Sequence, residues 1–458
     1  MTILSSKRQA PASQHGVTLI ELMVAMVLGL LVSAGIVTVF SSTSSSNKAQ
    51  TQLARLQEEG RFAISRLGTD LRMANGLYCN NSGGSGQTAT NGTVLDQLRS
   101  PRVFATNLIA GAGPISGAMA DMTTPWGAGS YPAVPIDAYY LPAFLYMRGY
   151  DCTLAACTPA DPGMAGLPAM GTAIGSRVKG TDVLTVRYVN PDGGWSIGEL
   201  GGSTLVTTPP DGGATSLASI NIIPLAGEPP ASHFAGGDLA MLSDCSNAQI
   251  FALGTVSGGI LTVAGGANFG GAAPSVPVPL AAPRLFDVNR DLRTVTYYLK
   301  VVSVNNDGVA PFTGALMRRV NGGVANAVHG GSEDELVRGV ERLDFRYGVQ
   351  DVNGNTSFLS ATDIDAATDC PPQEPTPLTT TGCLWRGVQS IEVSILMDGQ
   401  VPLYTLQGND LLYAYSADGN TGLLAPSGHA YKPSDQGFPD QLLRREFTAL
   451  LALRNFNP

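Results

Sequence analysis

The chain has 458 residues, enough for a large core and for more than one domain. Only 14% of them are charged, against roughly 25% in an average globular protein, and 55 Gly with 30 Pro stay below the ~25–30% that marks disorder. A formal net charge of −9 supplies no basic stripe, so nucleic acid is not expected as a partner.

The first sixteen residues carry Lys7 and Arg8 and no acid. From Leu22 to Phe40 there is no charge, and the next is Lys48. A helix needs about 20 mostly apolar residues to cross a bilayer. Basic residues before the span place the N-terminus in the cytoplasm and send the rest of the chain across. One acid, Glu21, stands at the start of this stretch. A carboxylate inside a membrane helix costs roughly 2.5–3.5 kcal/mol at the centre, so it calls for a partner. A cut between Gly16 and Val17 would create one, a cationic amine four residues from Glu21.

After a Ser-rich patch at 41–46, apolar residues recur at Ala49, Leu53, Leu56, Ala63, Ile64, Leu67 and Leu71. With Gly60 in one slot, the steps are threes and fours, the helical period. No Pro occurs between Val17 and Asn75. The pattern predicts one long helix over residues 17–75, about 88 Å at ~1.5 Å per residue. Residues 17–40 form its membrane or fibre-core part and residues 41–75 its amphipathic continuation. The Ser patch and Gly60 are its weak points. Ala25, Gly29 and Ser33 follow Glu21 at steps of four, and small residues at that spacing let helices pack closely in lipid. Asn75-Gly76 and the run "NNSGGSGQTATNGT" end the helix.

Residues 76–180 read as irregular and rich in Pro, Gly and Ala, and residues 181–458 as a β-rich head. "TDVLTVRYV", "RTVTYYLKVVSV", "GALMRRV", "VQSIEVSILM" and "REFTALLALRN" are strands by alternation and β-branched content. "GDLAMLSDC" and "AQIFAL" read as a hairpin. Ser332 with Glu335 three later has capping-box spacing, so "SEDELVRGVERLDFRYGV" is expected to start as a short helix and end as a strand. The fold class is α+β: a long N-terminal helix packed on a large antiparallel sheet.

Six Cys follow the apolar segment, at 79, 152, 157, 245, 370 and 383, none in a CxxC pair. Only His233, His329 and His429 follow it, scattered singly, so no metal site is expected. An even count beyond a membrane segment suggests disulfides, with 15 pairings open. Closeness in sequence favours Cys152–Cys157 and Cys370–Cys383, which leaves Cys79 for Cys245. No hydrolase, phosphate-loop or zinc-protease motif is present, so neither enzyme activity nor a cofactor is expected. "DVNGN" and "DVNRD" lack the Gly and Glu of a calcium loop and read as turns between strands.

"GVTLIEL" at 16–22, behind a short basic leader, resembles the class III signal of type IV prepilins. The resemblance implies cleavage after Gly16 by a prepilin peptidase and N-methylation of Val17. It also implies pairing of Glu21 with the amine of an adjacent subunit during assembly. The usual first mature residue is Phe. Val17 departs from it, which favours a minor over a major subunit. The "DL…C…IF" hairpin, "ELVRGVERLDFRYG", "VQSIEVSIL" and "RREFT…LRN" are similar to PilW-type minor pilins. That implies a minor type IV pilus subunit that helps prime assembly, at or near the tip. Its partners would be other minor and major pilins, the prepilin peptidase and the inner-membrane assembly machinery. It would sit in a bacterial inner membrane with its head in the periplasm, then in the fibre. The alternatives are a surface-binding, adhesin-like subunit and a J-type pseudopilin of type II secretion.

Overall fold

The computed structural model describes residues 16–79, 85–90, 92–96, 101–106, 108, 136–162, 167–198, 200–208, 216–245, 247–263, 265–269, 274, 282–323, 330–350, 354–367, 382–403, 406 and 408–454. The leader through His15, Cys370 and the first three residues of "DVNGN" lie outside them. The chain divides into one unit ending at Ala54 and a second beginning at Arg55.

One helix, α1, runs from Leu19 to Leu71, unbroken through the Ser patch and Gly60. It stops four residues short of Asn75. Beyond Leu71 the bonds shorten to Met73 N–Asp70 O and Ala74 N–Leu71 O, and Asn75 takes the left-handed φ of 62° that closes many helices. In the first unit, Val17 through Phe40 are exposed, and the segment is long and apolar enough to cross a bilayer.

In the second unit, α1 buries Leu56, Gly60, Ala63, Leu67, Gly68, Asp70 and Leu71. Leu56, Gly60, Ala63, Leu67 and Leu71 belong to the stripe that threes and fours mark in the sequence, and Gly68 and Asp70 are buried beside it. The stripe packs on a four-stranded antiparallel sheet ordered Thr356–Leu359, Val340–Gln350, Val388–Asp398 and Arg444–Ala452. The inward side chains Phe345, Ile391, Val393 and Ile395 alternate with Arg346 and Glu392 on the opposite face, the period-two pattern of a strand. Two α1 glycines meet the last strand. A Cβ on Gly60 would lie 2.6 Å from the Phe447 ring, and one on Gly68 3.4 Å from Leu451. Eight helical residues rise about 12 Å and four strand residues about 13 Å. Helix and strand therefore keep step.

A second sheet joins Ser332–Arg338, Phe312–Val320, Leu292–Ser303, Val183–Val189 and Met147–Cys152 in that order. Ser332–Arg338 is a strand, not the short helix that its capping-box spacing predicts. Its acids are used across the sheet: Glu333 stands opposite Arg319 and accepts from Lys300 at 2.6 Å, and Asp334 stands opposite Arg318. Ser332 turns its hydroxyl to Asp334 rather than to a helix amide. A charged strand suits this place because it is a sheet edge, where charge discourages pairing with another chain.

Val189 and Leu292 are cross-strand partners, so residues 190–291 leave and rejoin one hairpin. They build most of a third sheet, which includes the expected hairpin Leu239–Ser243 with Ala248–Ser257. Trp195, Ile220, Phe251, Leu261 and Leu285 give it its own core. "DVNRD" becomes a single helical turn, Val288–Asp291, with Asp287 accepting from the Asn289 amide.

Candidate assembly site

Glu21 sits at the third position of α1, and Thr18 is the residue just before the helix. The Thr18 amide and hydroxyl both donate to Glu21 Oε2 at 2.9 Å, and the Glu21 amide donates to Thr18 Oγ1 at 3.3 Å. This reciprocal arrangement is a capping box. It satisfies two amide donors that a helix start otherwise leaves open. The spacing Thr-x-x-Glu is plain in "GVTLIEL", yet the membrane argument for Glu21 hides it. Both described bonds to the carboxylate fall on Oε2. No described residue donates to Oε1.

Gly16, Val17, Glu21, Ala25, Gly29 and Ser33 are all exposed, and a Cβ on Gly16 or Gly29 would meet nothing within 4 Å. Among the described residues, then, the strip of small residues packs against nothing. A substitution there leaves the packing of a single chain untouched.

Within the second unit, the end of α1 is tied to the sheets by a polar cluster that the sequence does not announce. Asp70 accepts from Tyr188 Oη at 2.7 Å, Tyr297 Oη at 2.5 Å and the Arg318 guanidinium at 2.6 and 3.1 Å. Burial alone would raise the Asp70 carboxyl. The Arg318 and tyrosine hydrogen bonds outweigh it and hold Asp70 below the ordinary carboxylate range. Nothing local flags this residue, because its partners lie 118, 227 and 248 positions away.

The structure joins Cys79 to Cys245 and Cys152 to Cys157. Cys383 is also disulfide-bonded, while Cys370 lies outside the described residues. The cysteines are distant from the N-terminal site in sequence and belong to the second unit. Among the described residues no group of His, Cys, Asp and Glu is arranged to hold a metal ion.

Two family models match this chain. One, described as type IV pilus-assembly protein W, covers residues 296–455. That span holds most of the strand Leu292–Ser303 and the whole four-stranded sheet under α1. The other, described as the prokaryotic N-terminal methylation motif, covers residues 11–37 and so contains Gly16, Val17 and Glu21. Comparison with curated proteins and with solved structures returned no match. A methylation-type N-terminus, one long apolar helix and the W-type match thus occur on a single chain, and together they support a PilW-type minor pilin, membrane-anchored and associated with the type IV pilus.

Proposed function

We propose that this chain is a minor pilus subunit that is cut between Gly16 and Val17, methylated on Val17, and takes part in starting fibre assembly at or near the tip. The observation that carries the reading is Glu21: one carboxylate oxygen is held by Thr18, while no described residue donates to the other. It stands at the head of a helix whose apolar side chains are all exposed through Phe40. A neighbour's N-terminal amine suits the free oxygen. In a low-dielectric fibre core that attraction exceeds its value in water, and desolvation offsets part of it. Lys7 and Arg8 support an N-terminus in the cytoplasm and a head on the far side. The partners would be other minor and major pilins, the prepilin peptidase and the inner-membrane machinery.

A surface-binding role is the second reading. Residues 190–291 form a sheet with its own core and lie wholly outside the W-type match. Counting surface pili in a deletion strain separates the two. A priming subunit leaves the cells bald, whereas a pure binder leaves pili that no longer adhere. Glu21→Ala tests the site: cleavage should proceed and incorporation should drop. Normal fibre levels of that variant would reject the pairing.

A further inference from the structure

Beyond Arg55, the exposed side of α1 is basic. Arg61, Arg66 and Arg72 are exposed and, with Phe62, fall on an arc of about 140° that faces away from the buried stripe, at ~100° per residue. Gly60 meets Phe447 and Gly68 meets Leu451, so α1 and the last strand run parallel. On that step Arg445, which shares the strand face of Phe447, falls level with Leu56, and it is exposed. Arg454, just past the strand, is exposed too, and its amide donates to the Arg72 carbonyl at 3.0 Å. Five arginines therefore run along the outer side of α1 and its seam with Arg444–Ala452. None of the five is in an ion pair among the described residues. The acids of this stretch of α1 are mostly taken: Glu59 by Arg55 at 2.7 Å and Gln400 at 3.0 Å, and Asp70 by Arg318. Glu58 alone stays exposed among them.

Arg148, Arg342 and Arg444 in the head each have a carboxylate partner, so the unmatched set is a local exception. On a chain of net charge −9 it attracts carboxylates within a screening length of about 8 Å, while the chain as a whole repels a polyanion as long as nucleic acid. Anionic lipid draws basic segments chiefly at the cytoplasmic leaflet, and the topology proposed above puts the head on the other side. Two observations favour a protein. Phe62 is 52% exposed among the arginines, and Arg with aromatic residues is the composition that protein interfaces enrich. The strand Arg444–Ala452 has no neighbour on its outer edge among the described residues, which leaves amides and carbonyls open beside the arginines. A second copy fits less well. Two-fold pairing sets arginine against arginine, and the acids after Ser332 are engaged within their own chain, Glu333 by Lys300 and Glu335 by Arg338.

We propose, resting on the assembly reading above, that this basic face with Phe62 near its centre docks the carboxylate-bearing face of a different pilus subunit. The arginines draw an acidic neighbour in and turn a basic one away, which sets the choice of partner. Phe62 loses its contact with water once the two faces meet and anchors the pair. Guanidinium groups suit carboxylates because both can bond in parallel pairs.

The test is run in the native cells, with p-benzoyl-phenylalanine in place of Phe62 as a photocrosslinker and the adduct identified by peptide mass spectrometry. The adduct should join a different pilin, at a peptide that holds Asp or Glu. Arg61→Gln, Arg66→Gln and Arg72→Gln made together should lower both adduct yield and recovery in sheared pili several-fold. The same three positions changed to Lys should keep most of both, because the charge remains. Membrane fractionation, mature mass and limited proteolysis of the full chain in detergent should match wild type in each variant, which reports insertion, processing and fold. Wild-type yield and recovery in the Gln variant would overturn the proposal. So would the absence of an adduct, or an adduct only with lipid, nucleic acid or a second copy of this chain. Glu21→Ala keeps the two readings apart. If it lowers recovery while the Gln variant does not, the docking face fails and the assembly reading stands. If only the Gln variant lowers recovery, the docking face stands and the Glu21 pairing fails.

Discussion

Arg318 reaches from the second sheet to grip Asp70 near the end of α1, with guanidinium nitrogens 2.6 and 3.1 Å from the two carboxylate oxygens. An acid near a helix C-terminus opposes the helix dipole. It is kept here because Arg318, Tyr188 and Tyr297 together satisfy it. Removing one partner from a buried pair leaves an uncompensated charge, at a cost of roughly 3–5 kcal/mol. Arg318→Met alone should therefore destabilise the head by about that amount in urea unfolding. Arg318→Met with Asp70→Leu should cost clearly less than the two single changes added. Strict additivity would show that the pair is not coupled.

The same pair sets an acid limb of stability. The Asp70 carboxyl is lower in the folded chain than its unfolded value of about 3.9. Its contribution is then complete above that value and disappears as pH falls through the folded one. Asp398 has the opposite sign. It is buried, and burial together with the Glu341 charge pushes it up to about 7, against hydrogen bonds from Thr313 Oγ1 and the Gln400 amide. Between its unfolded value near 4 and about 7, the folded chain binds the extra proton, so stability falls as pH rises across that window. Asp398→Asn should flatten this upper limb, worth on the order of a few kcal/mol, and leave the acid limb in place. An unchanged slope between pH 5 and pH 8 would contradict the assignment.

Gly60 offers a test in which helix propensity and packing disagree in sign. Leu is a better helix former than Gly by about 0.8 kcal/mol, so propensity alone makes Gly60→Leu stabilising. The Phe447 ring occupies the space that the new side chain needs. Overpacking of this kind costs about 1–3 kcal/mol. The net effect should be destabilising, and Phe447→Ala in the same chain should recover part of it. A rise in melting temperature for Gly60→Leu alone would show that the notch does not matter.

Gly60 also marks where sequence reading stops. A Gly inside an amphipathic helix reads as a weak point, because the ring that needs the gap comes from a strand almost four hundred residues later. The long apolar segment and the strand Val183–Val189 are legible because their signals are local: uniform hydrophobicity in one, alternation in the other. The acids after Ser332 mislead because Ser-x-x-Glu is a local signal, whereas Lys300 and Arg319, which claim Glu333, lie on other strands. Residues 190–291 return to the hairpin they leave only through the Val189–Leu292 pairing, which no window of sequence contains. At the N-terminus, Gly16, Val17 and Glu21 stand out by pattern, yet the second use of Glu21, as a cap shared with Thr18, shows only in the geometry.

Gly29 gives the cleanest test of the small-residue strip. In a single chain a Cβ there touches nothing within 4 Å, so Gly29→Leu removes no contact and adds apolar bulk that a bilayer accepts. Insertion and cleavage should match wild type, read as membrane fractionation and mature mass. Neighbouring helices that approach along Ala25, Gly29 and Ser33 need the space that Leu fills. The fraction of the chain recovered in sheared pili should therefore fall several-fold, while Gly29→Ala, which keeps the residue small, should stay near wild type. Equal recovery of the Leu and Ala variants would mean that this face of α1 is not the one that meets a neighbour.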